Sequence, residues 1–163
     1  MTASSAIRPI LVTGAAGFIG AEVALRLLQR GERVVGIDNL NSYYDPALKR
    51  ARLARLDALP QAEASTWRFE AISVEDGEAM AALFAAERPR AVVHLAAQAG
   101  VRYSLENPAA YIQSNLVGFG HILEGCRHHG VEHLVCAISS LAFLLAAYRL
   151  TGWFTACCSL NGI

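Results

Sequence analysis

Gly14-Ala15-Ala16-Gly17-Phe18-Ile19-Gly20 is the stretch on which the reading of this chain turns. It follows Arg8-Pro9-Ile10-Leu11-Val12-Thr13, a short apolar run suited to a strand buried on both faces. Beyond it Ile19, Val23 and Leu27 recur at helical spacing as far as a stop at Gly31. A strand, a glycine turn and a helix in that order present the positive helix end to whatever the turn holds. The glycines have separate jobs: Gly14 permits the tight turn, Gly17 lets backbone approach a phosphate, and Gly20 lets the helix pack close to the strand. Asp38 lies 18 residues beyond Gly20, at the end of a second β-branched run from Arg33, where its carboxylate can accept both hydrogen bonds of an adenosine ribose. The pattern points to a dinucleotide. Asp38 repels a 2'-phosphate, so NAD is expected over NADP.

Working outward, strands and helices keep alternating. Asp45-Pro46 opens a polar helix to about Leu59, the aspartate capping orphan amides and the proline having none to leave orphaned. Residues 66–72 form a third strand; Met80, Leu83 and Phe84 then stripe a helix to Glu87, and 91–95 is a fourth strand. Asn107-Pro108 opens the longest helix, in which Ile112, Leu116, Phe119, Leu123 and Cys126 form one continuous apolar stripe before Gly130. Residues 132–138 make a fifth strand. Short apolar strands joined by helices predict an α/β fold, a Rossmann-type doubly wound parallel sheet in the order 3-2-1-4-5, incomplete at its C-terminal side.

Composition bounds the partners. The 163 residues are 54% hydrophobic and 17% charged, enough for one domain with a real core and unlike a disordered or fibrous chain. Fourteen Lys+Arg balance fourteen Asp+Glu without clustering, so no footprint for nucleic acid or an anionic membrane is present. The four cysteines, Cys126, Cys136, Cys157 and Cys158, lack a disulfide framework, and no secretory signal opens the chain, which together point to the cytoplasm. Charge is uneven along the chain: residues 101–163 hold six of the 28 charged side chains. The uncharged run from Leu134 is broken by Arg149 and carries Ser139, Ser140 and Gly152, which favours a buried strand and a tail over a membrane span.

Three blocks of sequence resemble the NAD-dependent nucleotide-sugar epimerases and dehydratases of the extended short-chain dehydrogenase/reductase group, UDP-glucuronate 4-epimerases most of all. They are Leu11 to Gly20; Asp38-Asn39-Leu40-Asn41-Ser42-Tyr43-Tyr44-Asp45; and His94-Leu95-Ala96-Ala97-Gln98-Ala99-Gly100-Val101-Arg102-Tyr103-Ser104, extended by Asn115-Leu116-Val117-Gly118. The first is shared across the superfamily, whereas the other two are specific to the subgroup. The likeness covers residues 8 to about 137. It implies that the Phe18 and Ile19 amides hold pyrophosphate, that Asp38 and Asn39 hold the adenosine ribose, and that Leu95, Ala96 and Ala97 line the nicotinamide side. Asn115 would stand near the nicotinamide ribose and Ser73 and Val74 near the adenine; Ser73 replaces the family's usual aspartate. Full-length relatives act on a nucleotide sugar and dimerise through the helix matching Pro108 to His129, so a homo-oligomer through that helix is implied here.

The likeness then stops. Ser139 fills the position of the family's catalytic Ser/Thr, but the Tyr-x-x-x-Lys pair has no counterpart: Gly152 stands four residues after Tyr148, and Lys49 is the single lysine of the chain. Residues 1–138 therefore read as an NAD-binding domain and 139–163 as an unmatched apolar tail in place of a substrate domain, with no epimerase turnover expected. The tail reads as a frameshifted or otherwise altered end. A non-catalytic nucleotide-binding or self-associating stub is the alternative. Arg102, the charged residue of the loop after the fourth strand, suits either a substrate carboxylate or phosphate or plain solvent exposure. Cys126, His128, His129, His133 and Cys136 match no common metal spacing, so no metal site is expected.

Overall fold

In the computed structural model, which describes residues 8–60, 66–99 and 105–136, each of five strands is four residues long and all run parallel. They are β1 (Ile10–Thr13), β2 (Val34–Ile37), β3 (Trp67–Glu70), β4 (Ala91–His94) and β5 (His133–Cys136). The helices are α1 (Phe18–Gln29), α2 (Pro46–Asp57), α3 (Gly77–Glu87), α4 (Pro108–Ile112) and α5 (Gly118–His129), the last two joined through a π-helical turn at Gln113–Val117. The sheet order is β3-β2-β1-β4-β5, as the alternation of strands and helices predicts.

β1 is central because it is buried on both faces: Ile10, Leu11, Val12 and Thr13 are each at most 6% exposed. Its alternate side chains feed two cores. Ile10 and Val12 join Ala24, Leu25, Leu28, Leu53 and Leu56 under α1 and α2, while Leu11 joins Met80, Phe84, Ile122 and Cys126 under α3 and α5. Burial holds the Cys126 thiol up at about 12, with Cys136 adding to the rise, so it behaves as a small apolar packing group.

Register lines up one edge. Thr13 lies level with Ile37 and His94, Ile37 with Glu70, and His94 with Cys136. The next residues, Gly14, Asp38 and Leu95, therefore leave the sheet side by side. At the opposite end Arg8 gathers the chain's two halves: its guanidinium donates to the carbonyls of Arg88 at 2.8 Å, Pro89 at 3.0 Å, His129 at 3.3 Å and Gly130 at 2.9 Å, and meets Glu132 at 3.3 Å.

The longest helix departs from a continuous stripe. Phe119, Ile122, Leu123 and Cys126 are buried, but Ile112 and Leu116 are 48% and 43% exposed. The π turn, which follows Ile112 and contains Leu116, adds one residue to each hydrogen-bonded loop and rotates this part of the helix away from the core.

Candidate functional site

Side chains cap α2, α3 and α4: Asp45 accepts from the Ala47 amide at 2.8 Å, Asp76 from Ala79 at 3.0 Å and Asn107 from Ala110 at 3.2 Å. α1 begins differently. Its N-cap is Gly17, no side-chain cap bond is made to it among the described residues, and its first turn holds no acidic residue. An uncapped helix start leaves orphan amides and a positive end for an anion. Gly14 turns at φ +70°, where a Cβ would stand 2.9 Å from the Ala96 nitrogen, and a Cβ on Gly20 would lie 2.0 Å from the Gly14 carbonyl oxygen. Only hydrogen at those two positions allows the turn to close this tightly.

The turn opens into a cleft of about 490 Å³. Gly14, Gly17, Phe18, Ile19, Gly20, Asp38, Asn39, Val74, Leu95, Ala96 and Ala97 all line it. The structure thus brings together the glycine turn, the acid after β2 and the edge after β4. Ser73 and Asn115 are not among the residues that line it. The Ser73 hydroxyl accepts from the Glu75 amide at 3.4 Å. Both ends of the buried Asn115 amide are spent on Gln98 main chain, Oδ1 accepting from its N–H at 2.8 Å and Nδ2 donating to its carbonyl at 3.0 Å. Asn115 thereby fixes the loop after β4 from inside the π turn. Arg102 and Ser139 lie outside the described residues, as does the chain from residue 137 onward.

Asp38 is 8% exposed and is matched by Lys49, 6% exposed, across 3.1 Å. Lys49 also donates to Asn41 Oδ1 at 3.1 Å, while the Leu40 amide donates to Asp38 Oδ1 at 2.8 Å. Oδ1 is thus taken, and Oδ2 has no partner among the described residues. Reading Asp38 as a bidentate ribose acceptor overlooked this pairing. The Asp45-Pro46 helix start was the available signal, since it places the single lysine in the first turn of α2, facing back toward the end of β2. Tyr43 and Tyr44 of the second family-like block line the same cleft, as do Arg52 and Ser114, which no sequence motif singles out; the Ser114 hydroxyl donates to the Glu75 carboxylate.

Under the cleft floor, the Thr13 hydroxyl accepts from the Leu95 amide at 3.1 Å and the Ala96 amide at 3.0 Å. With both lone pairs engaged, its proton goes to His94 Nδ1, 2.8 Å away. The network therefore assigns the neutral tautomer with the proton on Nε2, a buried atom without a partner among the described residues. Burial lowers the His94 pKa to about 4, in keeping with that assignment. Thr13 and His94 together hold the backbone that forms one wall of the cleft. Among the described residues no three His, Cys, Asp or Glu side chains gather as a metal site, and no helix is long and apolar enough to cross a membrane.

A family model described as the NAD dependent epimerase/dehydratase family matches residues 10–143. An uncharacterized 37.6 kDa protein of Escherichia coli O111:H- is 53% identical over 133 residues, 82% of this chain and 38% of that protein. UDP-glucuronate 4-epimerase 4 of Arabidopsis thaliana is 48% identical over 118 residues, 72% of this chain and 26% of that enzyme. The crystal structure of a UDP-glucose 4-epimerase from Thermus thermophilus in complex with NAD matches with a TM-score of 0.61 at 35% identity, covering 77% of this chain and 36% of that one. The chain thus spans well under half the length of the relatives it matches.

Proposed function

Since the chain belongs to the NAD dependent epimerase/dehydratase family, we propose that it is the NAD-binding portion of a nucleotide-sugar 4-epimerase of the UDP-glucuronate/UDP-galacturonate type. The observation that carries this reading is the uncapped, glycine-fronted start of α1 opening into the same cleft as Asp38. Likeness to the plant UDP-glucuronate 4-epimerases and to the NAD complex of the Thermus enzyme supports it.

In this reading the α1 amides hold the pyrophosphate, Asp38 Oδ2 takes a ribose hydroxyl, and Lys49 fixes the carboxylate that does so. Asn39 lies alongside the ribose, Val74 beside the adenine, and the Leu95 to Ala97 backbone, set by Thr13 and His94, lines the nicotinamide side. Bound NAD supplies reversible hydride transfer at the sugar C4. The accompanying proton transfer needs a tyrosinate with a lysine beside it. Here the single lysine is held by Asp38 and Asn41, so this chain as it stands is proposed to bind NAD without epimerase turnover. A cytoplasmic setting goes with that cofactor and substrate class.

Titration calorimetry tests the binding: NAD is expected to bind more tightly than NADP, and equal affinity would remove Asp38 from its role. Interconversion of UDP-glucuronate and UDP-galacturonate by the purified chain would overturn the inactive reading. A second reading, a self-associating nucleotide-binding stub, is favoured by the exposed Ile112, Leu116 and Val117 along one helix.

A further inference from the structure

Arg52 is the half-buried cation of α2 that lines the cleft without a carboxylate partner among the described residues, whereas Arg50 is exposed and outside the cleft. On α2, Lys49 is matched by Asp38 and Arg55 by Glu22 at 3.0 Å, while the cleft's other acid, Asp45, caps its own helix. Arg52 sits between those paired cations and is half-buried. Its one hydrogen bond among the described residues runs from Nη1 to a neutral acceptor, the Ala16 carbonyl, at 3.3 Å. Ala16 belongs to the glycine turn, and Arg52 lines the cleft together with Gly17, Phe18 and Ile19. A guanidinium is thus held beside the positive, uncapped start of α1, where like signs repel and no carboxylate relieves the repulsion among the described residues. Of its five N–H donors one is engaged in the described structure. An anion entering between the two resolves the repulsion and takes up donors from both.

We propose that Arg52 is a phosphate-binding residue of this cleft, closing from α2 on the pyrophosphate of the dinucleotide that the α1 amides hold. The inference rests on the NAD reading and extends it: the anion site is two-sided, with backbone amides on one element and a guanidinium on another. The Ala16 carbonyl keeps the guanidinium parked against the turn, so little side-chain freedom is lost when the phosphate arrives.

The test compares the full chain with Arg52→Gln and Arg52→Lys by calorimetric titration with NAD, ADP-ribose and adenosine at two salt concentrations. Arg52→Gln is expected to weaken NAD and ADP-ribose alike by about tenfold, the effect of losing one charge-assisted contact. Adenosine affinity should stay within twofold, and the salt dependence of NAD binding should become shallower. Arg52→Lys is expected to recover part of the loss, because it keeps the charge without the fork. Unchanged NAD affinity in a folded Arg52→Gln overturns the proposal, and so does an equal loss for adenosine, which would make Arg52 a packing tether. If Arg52→Gln fails to fold, Arg52→Met, which keeps an apolar stem and removes the charge, is judged by the same two outcomes. Should the unmutated chain bind neither NAD nor ADP-ribose, the NAD reading itself fails, a result distinct from all of these.

Discussion

His94 is a residue whose protonation the fold opposes. Its Nδ1 already accepts the Thr13 proton, and the ring is fully buried. Its pKa falls from the ordinary 6.5 to about 4, so below pH 6.5 the unfolded chain takes up a proton that the folded chain refuses. The sign follows: this stability is complete above pH 6.5 and is lost as pH falls through the folded value, about 3 kcal/mol in all. Denaturant unfolding at pH 7 and pH 4.5 should show a fall that is smaller in His94→Asn than in the unmutated chain. Gly14 is as constrained. Gly14→Ala places a Cβ at φ +70° against the Ala96 nitrogen, an expected cost of about 1–3 kcal/mol together with loss of NAD binding, read by thermal melts and titration. For Asp38 the informative change is Asp38→Asn, which is expected to bring NADP affinity close to that for NAD. Both Asp38→Asn and Asp38→Ala remove the charge opposite buried Lys49, at a cost of about 3–5 kcal/mol, but Asp38→Asn keeps an acceptor oxygen for the Lys49 ammonium and the Leu40 amide.

Among the elements, the strands and α1 to α3 were legible because each is a short apolar run or stripe punctuated by Gly, Pro or a capping acid. Asp45-Pro46 and Asn107-Pro108 mark helix starts that the structure places at Pro46 and Pro108. The π turn was not legible. Ile112, Leu116, Phe119 and Leu123 keep α-helical spacing on paper, and what breaks it is tertiary: Asn115 turns inward to bond Gln98 main chain. Local pattern carries no trace of a partner 17 residues away. Lys49, paired with a carboxylate 11 residues upstream, was legible only through the Asp45-Pro46 helix start that sets it in the first turn of α2. As a consequence Ile112 and Leu116 face outward. Ile112→Glu with Leu116→Glu is expected to reduce self-association in sedimentation velocity while leaving the melting temperature nearly unchanged; a sharp monomer in the unmutated chain would count against the sticking face.

At the scale of the whole molecule, the parallel sheet gathers the glycine turn, Asp38 and the edge after β4 at one rim, so ligand binding and folding are coupled. Saturation with NAD at a hundredfold its Kd should stabilise the fold by about 2.7 kcal/mol, visible as a rise in melting temperature that NADP at equal concentration does not match. The sheet order was readable from the strand–helix alternation, whereas the charge balance inside the cleft depends on side chains that only the fold brings together. The Arg8 clasp has a further consequence, for synthesis. The ribosome delivers Arg8 121 residues ahead of the His129 carbonyl that it clasps, and β1, the earliest strand among the described residues, is the centre of their sheet. A nascent chain that has released only β1 to β3 has one flank of its central strand open and its N-terminal guanidinium still in water. The open flank of β1 closes only when β4 emerges, and the clasp is complete only when residues 129–132 follow, so long-range contacts hold back the early part of the fold.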